Sequence, residues 1–130
     1  MSIPFFFEEI PTITVRDPLA QMLGAGGDFT YTYGECVKLA GHSCPTVAGA
    51  YLMVQEGIRA LYGNEMGVRG EIRVHIKGTL GEGSVGVIAT IVSLITGATE
   101  TSGFHGLGGR FDRRGLLCFD PHLQSDMVLE

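Results

Sequence analysis

An imidazole and a thiol stand two positions apart in Gly41-His42-Ser43-Cys44-Pro45-Thr46, directly ahead of a stretch that reads as a long helix. Proline suits the first helical position, so Pro45 makes Cys44 the residue that caps the helix. A sulfur there faces backbone N–H groups with no partner inside the helix, and the positive end of the helix dipole. Both favour thiolate, and a nearby His42 favours it further. Thiolate and imidazole are also two good ligands for zinc or another transition metal. A catalytic zinc usually takes three protein ligands plus water. His105, in the glycine-rich loop that follows Gly103, is the best third donor, ahead of Cys36, Cys118 and His75. The plain alternative is that Cys44 is a small buried hydrophobe, the common fate of cysteine.

Other candidate groups read more simply. His75 shares a polar strand face with Arg73 and Lys77 and is expected to be solvated. Cys118, between Leu117 and Phe119, is expected in the core, and His122, after Pro121, at the surface. The loop Gly103 to Gly109, followed by Arg110, Arg113 and Arg114, offers amides and guanidinium groups to an anion. It does not leave a strand and open a helix, so it matches no nucleotide-binding fingerprint, and a structural glycine loop is the expectation.

The elements that must position these groups follow from periodicity. Residues 1–16 read as an extended arm, with Pro4 and Pro11 opposing helix and Thr12 to Arg16 alternating like a short strand. Asp17-Pro18 signals a helix start, and the glycines from Gly24 end that helix. Phe29 to Tyr33 alternates aromatic and hydroxyl side chains as a strand does, and Gly34 to Leu39 suits one or two helical turns. From Pro45, the apolar stripe Val47, Tyr51, Val54, Ile58 and Leu61 marks an amphipathic helix closed by Gly63-Asn64. Glu71 to Lys77 alternates as a strand with Ile72, Val74 and Ile76 inward. Val85 to Thr96 reads as a buried helix, with strand as the alternative because so many residues are β-branched. Leu116 to Phe119 is a last strand, and the polar tail from Asp120 is expected to be peripheral.

With 130 residues, 45% of them hydrophobic, the chain can bury a core as one domain: an arm over 1–28, a core over 29–120 and a tail over 121–130. A formal charge of −5 and no Lys/Arg-rich run argue against nucleic acid as a partner. The N-terminus lacks a secretory signal pattern, and the longest apolar run, Val85 to Ala98, is too short for a membrane span. Three cysteines with no CxxC spacing do not make a disulfide framework, so the expectation is a cytoplasmic protein with reduced thiols. The Phe5–Phe7 arm and the apolar helix from Val85 offer surfaces for a homodimer.

Gly41-His42-Ser43-Cys44-Pro45 resembles the GHxCPG signature of the formylmethanofuran dehydrogenase-associated FmdE family, and the resemblance runs from about Tyr33 to Phe119. It includes a glycine-interrupted apolar segment and Thr96-Gly97-Ala98-Thr99, similar to the family's Thr-Gly-x-Thr element. The resemblance implies an α+β domain with a thioredoxin-like core, a mixed sheet flanked by helices, and a metal-binding active site around the His-Cys motif. Only His42 and Cys44 carry over as site residues. Ala40 replaces a frequent family histidine, Val85 to Ala89 lacks the family's Cys and Asp, and Ala98 stands where the family has Cys. Three expectations follow: a His42/Cys44 metal site completed by His105, an accessory module docking on a redox enzyme, or a metal-free reactive thiol at Cys44.

Overall fold

The computed structural model describes residues 9–130, so the expected apolar arm of Phe5 to Phe7 lies outside the described residues. The class is α+β, with six strands and four helices in the order β1 (Ile13–Arg16), α1 (Pro18–Met22), β2 (Asp28–Tyr31), α2 (Tyr33–Ala40), α3 (Pro45–Tyr62), β3 (Gly67–Val68), β4 (Val74–Lys77), α4 (Val85–Thr96), β5 (Leu117–Asp120) and β6 (Met127–Leu129). The one mixed sheet implied by the resemblance is divided here into two. Each has three strands, in the orders β2-β1-β3 and β5-β4-β6. Each is itself mixed: β1 is antiparallel to β2 and parallel to β3, while β4 is parallel to β5 and antiparallel to β6.

Helices α3 and α4 pack on one another and tie the sheets together, α3 reaching β3 and β6 while α4 reaches β1 and β4. The stripe on α3 buries Val47, Ala50, Tyr51, Val54 and Ile58. Leu61, expected to continue it, is exposed; the stripe drifts around the helix and Tyr62 packs on the core instead. Gly57 is a close-approach site, since a Cβ there would stand 2.8 Å from a Leu129 methyl carbon, and so β6 lies directly on α3.

Val85–Thr96 is helical despite its β-branched residues. Ala89, Ile91, Val92, Ile95 and Thr96 are buried, and Gly97 ends the helix at a positive φ of 75°. No helix of the described residues is long and apolar enough to cross a membrane.

Three local expectations are corrected. The tail is not peripheral: Met127–Leu129 pairs with β4, because its alternating apolar residues complete that sheet. His75 is not simply solvated, since the same pairing brings its Nε2 to 2.9 Å from Glu130 Oε1. Cys118 is half-buried instead of in the core, because strand alternation turns Leu117 inward and Cys118 to the other face.

A buried ion cluster fixes the relation of the first helix to the rest. Asp17 caps α1 by accepting from the Ala20 amide at 3.0 Å. Its carboxylate also accepts from Arg69 Nη1 at 2.6 Å and Arg113 Nη2 at 2.7 Å. Arg69 extends the cluster to the end of α4, donating to the carbonyls of Leu94 and Ile95. Arg113 crosses close to Gly97, where any Cβ would collide with its guanidinium group. Burial pushes the Asp17 carboxyl up, but Arg113, the Ala20 amide and Arg69 together hold it below its ordinary range.

Candidate functional site

Two helices meet at the site. Thr32 and Glu35 form a reciprocal capping box that starts α2. Gly41 ends α2 with φ at 83°, a conformation that costs an L-residue, and turns the chain toward α3. His42 and Ser43 span the turn, Cys44 takes the cap position in extended conformation, and Pro45 opens α3. The glycine, the spacing and the proline together place the imidazole against the sulfur.

Cys44 Sγ lies 3.3 Å from His42 Nε2, and His42 Nδ1 lies 3.2 Å from the Ala40 carbonyl oxygen. A carbonyl only accepts, so the Ala40 contact places a proton on Nδ1 and leaves the Nε2 lone pair facing the thiol. This is the nucleophile–base–orienter arrangement of activated cysteines, with a backbone carbonyl as the orienting group.

The Cys44 thiol is held below its ordinary range, first by the Val47 amide, then by the Thr46 amide and His42, against the cost of burial. Its sulfur makes no capping hydrogen bond of full geometry, so the two amides act on it mainly as dipoles. Cys36, eight residues earlier, behaves oppositely: it is wholly buried and its thiol is pushed up to about 11 by desolvation and by Glu35. That environment removes Cys36 as a partner for redox exchange with Cys44.

A cleft of about 700 Å³ opens beside Cys44. Its walls include Pro11, Pro45, Ala48, Tyr51 and Leu52, and its polar groups include the hydroxyls of Tyr33 and Ser43. Those two oxygens are 2.8 Å apart, and Tyr51 donates to the Pro11 carbonyl at 2.6 Å, which fixes the wall from the arm side. Only Ser43 and the packed residues of α3 gave any hint of this cleft in the sequence. The arm contributes Glu9 to Pro11 from more than thirty positions away, which no local pattern announces.

The remaining candidates are dispersed. Among the described residues no three His, Cys, Asp or Glu side chains gather in a group that could hold a metal ion, so His105 is not brought to His42 and Cys44. His105 is exposed in its loop, where its charge is felt by Asp112. That loop closes on itself through paired amide and carbonyl groups of Leu107 and Arg110, around Gly108 and Gly109. The three arginines expected to face an anion together have separate partners: Arg110 over the Phe111 ring, Arg113 on Asp17, and Arg114 on Asp112. The glycine loop is structural. His122 is exposed, as expected.

No family model matches this chain, and no curated protein or solved structure matches it either.

Proposed function

We propose that Cys44 and His42 form the reactive centre of this protein, a thiolate–imidazolium pair at the head of α3 that attacks or binds a small ligand held in the adjoining cleft. The observation that carries this reading is the 3.3 Å contact between Sγ and Nε2, with Nδ1 anchored on Ala40. Proton transfer from Sγ to Nε2 then yields a nucleophile whose counter-charge stays in hydrogen-bond contact. Neither Cys36 nor Cys118 is needed. The test is alkylation of Cys44 by iodoacetamide as a function of pH, followed by peptide mass spectrometry. Cys44 reacts at lower pH than a cysteine in a short peptide, and His42→Ala moves its profile toward that peptide. A wild-type profile that coincides with the peptide's would sink the reading.

A second reading, binding of zinc or another transition metal through His42 and Cys44, is favoured by the span between the two donors. Zinc–sulfur and zinc–nitrogen bonds at a tetrahedral angle separate the donors by about 3.5 Å, close to the 3.3 Å present. The Nδ1 contact with Ala40 is also the kind of outer hydrogen bond that orients a ligating histidine. The likeness of residues 41–45 to the FmdE signature supports it as well. The pair fits two positions of such a site and not a closed one. A metal held there would supply Lewis acidity to a bound ligand. Zinc titration separates the two readings: metal that protects Cys44 from alkylation in wild type, but not in His42→Ala, establishes the metal site.

A further inference from the structure

We infer that the ligand of this site is an uncharged, apolar α,β-unsaturated carbonyl compound, lying in the cleft with its β carbon at Cys44 Sγ. This rests on the thiolate reading of Cys44 and specifies what that thiolate meets. Three properties of the cleft select the class.

The first is charge. Glu9 is the only ionisable lining residue among those described other than the tyrosines and Cys44 itself, and no cation lines the cleft. With a thiolate at one end, a carboxylate at the other and −5 on the whole chain, an anionic ligand is opposed from every side. The second is polarity. Pro11, Ala48, Tyr51 and Leu52 present carbon to the ligand, and a wall of this kind gains from hydrocarbon or aromatic surface. The third is the hydroxyl pair of Tyr33 and Ser43. When Tyr33 donates to Ser43 Oγ, the Ser43 proton is left to donate to a carbonyl oxygen in the cleft.

The covalent step balances without any further reagent. The thiol proton passes from Sγ to His42 Nε2, and the thiolate forms an S–C bond to the β carbon of the ligand. The electron pair of the C=C bond moves to the carbonyl oxygen, where Ser43 donates, and the proton on Nε2 returns to the α carbon. One S–H and one C=C are lost, one S–C and one C–H are gained, and nothing is oxidised or reduced. The dipoles of Thr46 and Val47 that favour the thiolate are weakened partners of the neutral thioether, so addition is readily reversed.

Two maleimides test this on the intact protein: N-phenylmaleimide, uncharged and apolar, and a maleimide carrying a carboxylate in place of the ring. Each rate at Cys44 is divided by the rate of the same probe on N-acetylcysteine. The phenyl probe is expected to saturate with concentration and to exceed the carboxylate probe at least 10-fold after normalisation. Leu52 is about half exposed at the cleft wall, so Leu52→Glu and Leu52→Gln should fold. Both reduce the phenyl preference, Leu52→Glu the more. Equal normalised rates with the two probes, or a preference that survives Leu52→Glu, would overturn the ligand class while leaving a reactive Cys44 in place. A Cys44 no faster than N-acetylcysteine with either probe would instead remove the thiolate reading beneath it.

Discussion

Two helices of this protein begin with the same local device and put it to opposite uses. Asp17-Pro18 opens α1 and Cys44-Pro45 opens α3; in each, an extended cap residue precedes a proline. The Asp17 side chain turns inward, accepts from the Ala20 amide and two arginines, and is almost wholly buried. The Cys44 side chain stays at the surface, makes no full capping bond and faces His42 and a cleft. The lesson is that unpaired amides at a helix head are a neutral resource. A strong acceptor held by buried cations turns them into a structural joint. A weak acceptor beside an imidazole leaves them free to lower a thiol's pKa.

The largest effect that would sharpen this contrast is at Asp17. Asp17→Ala leaves the Arg69 and Arg113 cations without their buried partner, and a loss of about 3–5 kcal/mol is expected by urea unfolding. The pH dependence has a fixed sign. Because the folded-state carboxyl is held below its ordinary value of 3.8, its contribution is complete above the unfolded value. It fades as pH falls through the folded one. The stability gap between wild type and Asp17→Ala should therefore be full at neutral pH and shrink in acid below about pH 4. A gap that is constant from neutral to acid pH would show that the carboxylate is not what holds the cluster.

A smaller effect is expected at Cys36, the buried thiol that shares the neighbourhood of the reactive one. Cys36→Ser puts a hydroxyl in a fully buried apolar position, at a cost of about 1–3 kcal/mol. The same variant should leave the alkylation rate of Cys44 unchanged, since the two thiols have no shared chemistry. A fall in that rate would break the separation drawn between them.

The smallest effect on stability is expected at Cys44 itself. Serine is a better helix cap than cysteine, so Cys44→Ser should raise the thermal midpoint slightly while abolishing the fast alkylation. A clear drop in the midpoint would mean that Cys44 is a structural group like Asp17, and the contrast between the two helix heads would collapse.

The local elements were legible because they depend on near neighbours. The capping proline at 45, the turn glycine at 41, the apolar stripe from Val47 to Ile58 and the strand around Val74 all follow from short-range sterics and periodicity. So was the pairing of His42 with Cys44, because two residues separated by one position across a tight turn can hardly avoid each other.

What was not legible depends on contacts distant in the chain. Leu61 lost its place to Tyr62 because the stripe meets a particular neighbour, and the tail became a strand because β4 had an open edge. His105 was a chemically reasonable third donor, yet its loop is tied back through the Arg113 backbone to Thr99 and Phe104, away from the helix heads.

The sequence by itself determined that a thiol and an imidazole would stand together at a helix head, since Gly41, Pro45 and a two-residue spacing suffice for that. Only the tertiary structure decided what surrounds them. It sent Arg69 and Arg113 to Asp17, across 52 and 96 positions, and laid Pro11 over Tyr51, forty positions away, to wall the cleft beside Cys44. Charge partners and cleft walls are supplied by whatever segments burial brings near, and burial acts on the whole chain at once.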